Sequence, residues 1–210
     1  FQAVLPLRGK VLNTFEVEKD RLFANNEIHD IAVAIGVDPH GPDDEADLSG
    51  LRYNGIYIMA DADVDGAHIS TLLLTLFFRH FYKVVLAGKI YLAQPPLFRV
   101  DVPAQSKKPI RKIYALNEGE LLGIEDRLRQ EKIREGSWSI SRFKGLGEMN
   151  AEQLWDTTLN PDTRRALRVN AAAIPFSDNM EMFNMLMGKH EASTRRAWLE
   201  YHGNEVQGDV

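Results

Sequence analysis

The apolar positions of this chain change period several times, and each change marks an element. Ala3 to Leu7 runs as a short strand would and ends in a polar turn, Arg8-Gly9-Lys10. From Asn25 to Ile35 the period is helical. Ile28, Ile31, Ala32 and Ile35 share one face, Asn25 or Asn26 can cap the start, and Gly36 closes it. Residues 37–50 are acidic and rich in Pro and Gly, which fits a solvated loop. Ile56 to Ala60 is short, Gly-bounded and apolar without alternation, as expected of a strand covered on both faces. Ile69 to Leu86 reads as one long helix stopping before Gly88 in the C′ position. Ser70, Thr71, Thr75, Arg79, His80 and Lys83 interrupt its apolar run, so it is a core helix and not a membrane span.

Lys89 to Val100 reads as a further strand, with Pro95-Pro96 marking an edge or bend. A polar loop is expected over 101–112, and Glu118 to Glu135 has the pattern of a peripheral charged helix. Strands alternating with helices argue an α/β fold with a parallel sheet. The character changes at Trp138: short helices, paired arginines and no convincing strand beyond about Ile140. The expected organisation is an α/β domain over 1–137 and a mainly helical tail over 138–210.

Composition narrows the class only a little. The chain has 210 residues, 44% hydrophobic and 26% charged, which is ordinary for a globular protein that buries a core. There is no cysteine, so neither disulfides nor thiolate metal sites are possible within it. A net charge of −5 means that any nucleic-acid surface must be local. The first residue is Phe1, already inside a strand-like run, and a fragment of a longer protein is expected.

The chemistry concentrates where the Ile56–Ala60 strand gives way to the long helix. There the sequence reads Asp61-Ala-Asp63-Val-Asp65-Gly66-Ala-His68. Open α/β sheets place their sites at such strand ends. In extended chain, residues two apart point the same way, so Asp61 and Asp63 should converge, and Asp65 with them if the chain stays extended. Adjacent unpaired carboxylates repel, and a divalent cation relieves this. Oxygen-only ligands favour Mg²⁺, Mn²⁺ or Ca²⁺ over zinc. The plainer reading of Asp65 is a helix N-cap. An EF-hand needs a bidentate Glu at loop position twelve, which is Leu72 here. A haloacid-dehalogenase-type phosphatase lacks an acid at the place of Asp65 and needs a later acidic pair, which is not found.

A second cluster is Ser141-Arg142-Phe-Lys144-Gly145-Leu-Gly147-Glu148-Met-Asn150. Its glycines allow close backbone approach to a ligand, and Arg142 and Lys144 carry charge suited to phosphate. Glu148 reads as a first-turn acid of a helix over Ala151 to Thr157. Asp61-Ala-Asp-Val-Asp-Gly, Leu5-Pro-Leu-Arg-Gly-Lys10, Arg142-Phe-Lys-Gly-Leu-Gly-Glu-Met-Asn150 and Glu152-Gln-Leu-Trp-Asp-Thr-Thr158 together closely resemble the C-terminal half of the B subunit of bacterial type IIA topoisomerases. The order is the family's, and nearly the whole chain is covered. Leu12-Asn-Thr-Phe-Glu-Val17 and Asn26 to Asp38 look more like the topoisomerase IV branch (ParE) than the gyrase branch.

The resemblance implies a TOPRIM fold, a Rossmann-like parallel sheet with flanking helices, followed by a helical tail. It implies ATP-dependent passage of one DNA duplex through a double-strand break, with relaxation and decatenation, in the cytoplasm at the nucleoid. Catalytic and metal-holding roles for Asp61, Asp63 and Asp65 follow from it, with Mg²⁺ as the cofactor. In the family a further Glu comes from an upstream Glu-Gly-Asp-Ser-Ala motif, ATP serves an N-terminal domain, and the nucleophilic tyrosine belongs to the A subunit (ParC) of an A2B2 heterotetramer. Half of a shared active site, inactive alone, is therefore expected. By the same resemblance Lys10, Asn13, His68 and Arg195 are expected on double-stranded DNA, joined by Arg8, Arg142 and Lys144. Arg164, Arg165 and Arg168 fit surface charge or contacts of the same kind, and Trp155 and Trp198 fit packing better than base stacking. A TOPRIM primase or nuclease would share the acids but not the Arg142–Glu148 cluster.

Overall fold

The computed structural model describes residues 2–104 and 109–205. Residues 105–108 of the expected polar loop, and the chain end at 206–210, lie outside the described residues. The described residues divide into two compact units, one within Phe1–Ile58, His68–Leu92 and Arg168–Val210 and the other within Met59–Ala67 and Ala93–Leu167.

In the first unit, α1 (Lys19–Phe23) leads into α2 (Asn26–Ile35). The second helix starts because the Asn25 side chain accepts the Ile28 N–H at 3.1 Å. It stops at Gly36, whose left-handed backbone returns its N–H to Ala32. Ile28, Ile31, Ala32 and Ile35 are buried, the face that the spacing indicates. Strand β1 (Ile56–Ile58) pairs in parallel with β2 (Ile90–Ala93), with Tyr57 opposite Tyr91 and their rings stacked at 4.7 Å.

The long helix differs from its expected form. It starts at Val64 and breaks at Phe81, giving α3 (Val64–His80) and α4 (Tyr82–Leu86). His40, from the acidic loop, causes the break. Its backbone N–H takes the His80 carbonyl at 2.7 Å, and its Nε2 accepts the Lys83 N–H at 3.1 Å. Both groups would otherwise serve a continuous helix. Gly88 ends α4 with φ 66°, as its position suggests. Ala3 to Leu7 forms no strand, and Val4 and Leu5 are exposed. Helices α7 (Phe176–Met187) and α8 (Ala192–His202) complete this unit. Leu22, Leu76, Phe81, Val84 and Ile90 are its most deeply buried apolar side chains, alongside Ile28.

The second unit holds an antiparallel sheet that the sequence pattern does not announce. Strand β3 (Phe98–Val102) lies between β4 (Arg111–Ala115) and β5 (Ser139–Arg142). The expected single strand over Lys89–Val100 is thus two strands in different sheets, divided at Pro95-Pro96, where no backbone donor is available. Phe98, Val100 and Val102 alternate inward and meet Ile124 and Leu128 of α5 (Glu118–Gln130). Strand β4 escapes notice in the sequence because its Arg111 and Lys112 read as loop; Arg111 is in fact paired with Glu131 at 2.7 Å. A capped turn, α6 (Ala151–Leu154), runs into one wide turn over Trp155–Leu159, and β6 (Ala166–Arg168) is a further strand after Ile140. Among the described residues no helix is long and apolar enough to cross a membrane.

Candidate acidic site

Asp61 and Asp63 stand between the end of β1 at Ile58 and the start of α3 at Val64, in irregular chain, and Asp65 follows inside the helix. The extended alternation that would aim Asp61, Asp63 and Asp65 alike is therefore not kept. Asp63 is the cap of α3: its Oδ1 accepts the Gly66 N–H at 2.7 Å and its carbonyl accepts the Ala67 N–H at 2.9 Å. The capping role suggested for Asp65 thus belongs to Asp63, and Asp65 lies within the first turn. There its negative charge suits the helix N-terminus. Gly66 is a glycine by necessity, because a Cβ there would overlap the Asp61 carbonyl.

Asp61 is held from far away in sequence. Its Oδ1 accepts the Leu146 N–H at 2.8 Å, across 85 positions. Gly145 packs against the same carboxylate, and a Cβ there would stand 2.8 Å from its Cγ and Oδ2. The φ of Gly145 is −174°, ordinary extended backbone. Proximity to Asp61, not backbone torsion, is what requires this glycine. The two sequence clusters are thus one structure. The glycine expected to approach a ligand approaches the acid itself.

The turn that carries Leu146 is self-supporting. Phe143 is buried and its N–H donates to Leu97 at 2.8 Å. Residues 146–148 form a single tight turn, and the Glu148 Oε2 accepts the Lys144 N–H at 2.8 Å. Glu148 is therefore not a first-turn acid of the following helix. That place is taken by Glu152, while Asn150 and Gln153 cap α6 reciprocally, each accepting the other's backbone N–H at 2.9 Å. Arg142 and Lys144 are exposed, and the Arg142 guanidinium lies 5.7 Å from the centre of the Phe98 ring.

All three aspartates are exposed. Among the described residues, no group of three or more His, Cys, Asp or Glu is gathered as a ready cation cage. The donor set still suits a hard cation. Mg²⁺ takes one or two carboxylates and keeps several waters, which two backbone-anchored, solvent-facing carboxylates permit.

The other candidates belong to the first unit. Arg8 and Lys10 are exposed on either side of Gly9, whose φ is 114°. His68 is exposed on α3. Asn13 is used within the protein: its Nδ2 donates to the Met187 carbonyl at 2.8 Å and its Oδ1 accepts the Phe15 N–H at 3.1 Å. Arg195 is half-buried, and its Nη1 donates to the carbonyls of Met185, Leu186 and Gly188 at 2.9, 3.3 and 3.0 Å. It closes the C-terminal end of α7, where carbonyls lack helical partners.

Arg165 pairs with Glu120 at 2.6 Å, Arg168 donates to the Gly88 carbonyl at 3.2 Å, and Arg164 reaches the Leu159 carbonyl at 3.5 Å. The Trp198 ring lies tilted against His202, with centroids 4.8 Å apart, whereas Trp155 is 47% exposed and packs less than expected. What sequence reasoning missed are backbone donors, Leu146 and Gly66. The signal for both was the neighbouring glycine requirement.

Residues 1–95 match the Toprim domain family, and residues 135–200 match the family described as the DNA gyrase B subunit, carboxyl terminus. The B subunit of DNA topoisomerase 4 from Pseudomonas aeruginosa is 50% identical over 204 residues, covering 97% of this chain and 30% of that protein. The Haemophilus influenzae protein of the same description is 47% identical over 212 residues, covering 100% of this chain and 32% of that protein. The B subunit of DNA gyrase from Thermotoga maritima is 44% identical over 207 residues, covering 99% and 30%. The chain therefore spans roughly a third of the length of the curated relatives it matches.

Proposed function

This chain belongs to the B-subunit family of bacterial type IIA DNA topoisomerases, and on that premise we propose that it supplies the acidic half of a shared DNA-cleavage site in an enzyme of the topoisomerase IV type. Asp61 and Asp63 hold the divalent cation, Mg²⁺ by preference, with Asp65 close by through water. When bound, the cation supplies positive charge beside the scissile phosphate. The chain's own residues do the positioning. The Leu146 N–H fixes Asp61 and the Gly66 N–H fixes Asp63. Arg142 and Lys144, beside the backbone that touches Asp61, fit phosphate contacts, and Arg8, Lys10 and His68 fit contacts of the same kind. Such contacts place the duplex without reading its sequence.

The tyrosine hydroxyl that attacks the phosphate comes from the A subunit, ParC, in an A2B2 assembly on double-stranded DNA. ATP is used by a domain that precedes this region in the family. Asn13 and Arg195 act in DNA binding through the segments that they hold in place. The Leu146–Asp61 hydrogen bond carries the reading, because it joins the two clusters that the family resemblance rests on.

The test is reconstitution of the whole B subunit with ParC, supercoiled and catenated DNA, Mg²⁺ and ATP. The expected result is ATP-dependent relaxation and decatenation that Asp61→Asn abolishes. Cleavage by the 210-residue chain alone would point instead to a self-contained nuclease. Relatives named as B subunits of gyrase are 44–47% identical, so the gyrase branch is the second reading. Productive assembly with the A-type partner of gyrase and not with ParC would favour it.

A further inference from the structure

We infer that Glu148 is a positioning residue for Asp61: its carboxylate closes the turn from Lys144 to Glu148 and so keeps the Leu146 N–H aimed at the Asp61 carboxylate. The inference rests on the proposed function only in naming Asp61 as a cation holder. The clasp itself rests on geometry.

Four short hydrogen bonds make it. The Glu148 Oε2 accepts the Lys144 N–H at 2.8 Å, and the Glu148 N–H donates back to the Gly145 carbonyl at 3.2 Å. The Met149 N–H donates to the Leu146 carbonyl at 3.1 Å, and the Leu146 N–H reaches Asp61 at 2.8 Å. The carboxylate bond from Glu148 thus spans the residues that present Leu146. Lys144, Gly147 and Glu148 are exposed, so packing does little to hold this turn. Gly145 and Gly147 both lie within it, and the conformational freedom of glycine favours fraying. The means available here is a side-chain oxygen of the right reach that accepts the Lys144 N–H and so closes the turn.

Glu148 could influence a cation at Asp61 in two other ways, as a ligand or simply as a negative charge. Its Oε2 already faces the Lys144 N–H, which argues against the first. The three roles separate by substitution. Gln keeps the reach and an accepting oxygen but loses the charge. Asp keeps the charge but is one methylene too short to bridge the turn. Positioning therefore expects E148Q to work and E148D to fail, the reverse of a charge or ligand role.

The experiment uses the 210-residue chain, labelled for amide NMR. Mn²⁺ is titrated by its broadening of amides around Asp61, and hydrogen exchange of the Leu146 amide is measured without metal. E148A and E148D should weaken Mn²⁺ binding about tenfold, the low end for groups that orient ligands. They should also speed Leu146 exchange by up to about tenfold, as expected for one lost net hydrogen bond. E148Q should stay within about twofold on both. As a second disruption, G145A should free the Leu146 amide with Glu148 intact, by pushing against Asp61.

Loss of Mn²⁺ affinity in E148Q but not in E148D would overturn the inference. So would unchanged Leu146 exchange in E148A. If Mn²⁺ binding proves indifferent to Asp61→Asn, the cation reading of Asp61 fails, while Leu146 exchange still decides the clasp.

Discussion

Asn13 and Met187 stand 174 positions apart, and the Asn13 Nδ2 donates to the Met187 carbonyl at 2.8 Å. The same side chain accepts the Phe15 N–H at 3.1 Å. One amide thus ties the segment after the Arg8-Gly9-Lys10 turn to the end of α7. Replacing it with Ala should cost about 1 to 2 kcal/mol, one or two net hydrogen bonds. Asn13→Asp should fall between, because a carboxylate keeps the Phe15 bond but cannot donate to Met187. Urea unfolding at unchanged slope is the measurement. Parental midpoints in both variants would mean that the amide does nothing for the fold and would return Asn13 to a purely surface role.

Arg195 makes the complementary prediction. Its guanidinium meets three carbonyls at the end of α7. Arg195→Ala should lower stability by about 2 kcal/mol, within the range for bonds from a charged donor. Arg195→Lys should recover only part, since the shorter lysine side chain brings its ammonium less far toward the same carbonyls. A loss of DNA binding in R195A with no change in unfolding would show that the residue acts on DNA directly.

Lys10 is exposed beside Gly9, whose φ is 114°. In the reconstituted enzyme, Lys10→Ala should weaken binding to every DNA sequence alike. It should also flatten the dependence of log affinity on log salt by about 0.9, one phosphate contact. A defect limited to one sequence would indicate base reading instead.

Much of the first unit was legible because its elements are local. The helix from Asn26 to Ile35 carries its cap, its buried face and its terminating glycine close together in the chain, and each behaves as written. The strand before the acids and the Gly88 stop were equally local. What failed was long-range. The break at Phe81 depends on His40, and a helical period contains no notice of it. Strand β4 depends on Arg111 finding Glu131. At the site, the residue types were readable but their geometry was not. The alternating aspartates suggested an extended strand end, whereas Asp63 caps a helix and Asp61 is held by Leu146.

Acid sensitivity should be traceable in part to Glu120. The Leu116 N–H that its carboxylate accepts holds its pKa below the usual 4.5; partial burial opposes this, and the Arg165 hydrogen bond adds to the lowering. A carboxyl depressed in the folded state binds its proton more tightly when unfolded. Its contribution is therefore complete above the unfolded value near 4.5 and is lost as pH falls through the folded value. The group is well exposed, so the effect is small. The stability difference between the parent and Glu120→Gln should favour the parent at neutral pH and shrink below about pH 4.5. A difference that stays constant from about pH 7 down to about pH 3 would contradict this assignment.

Asp63 does two things that substitution can pull apart. As the cap of α3 it needs only an accepting oxygen for the Gly66 N–H, 2.7 Å away. As a proposed cation holder it needs a negative charge. Asn caps helices about as well as Asp, whereas Ala costs about 1 kcal/mol at such a position. Asp63→Asn should therefore unfold with the parental midpoint, and Asp63→Ala should be less stable by about that amount. In the whole enzyme assembled with ParC, both should lose Mg²⁺-dependent DNA cleavage, while ATP hydrolysis by the preceding domain continues. Cleavage near the parental rate in Asp63→Asn at saturating Mg²⁺ would reduce Asp63 to a helix cap and leave Asp61 as the acid to be tested alone. Loss of stability in the Asn variant would mean that the negative charge at the start of α3 matters to the fold as well.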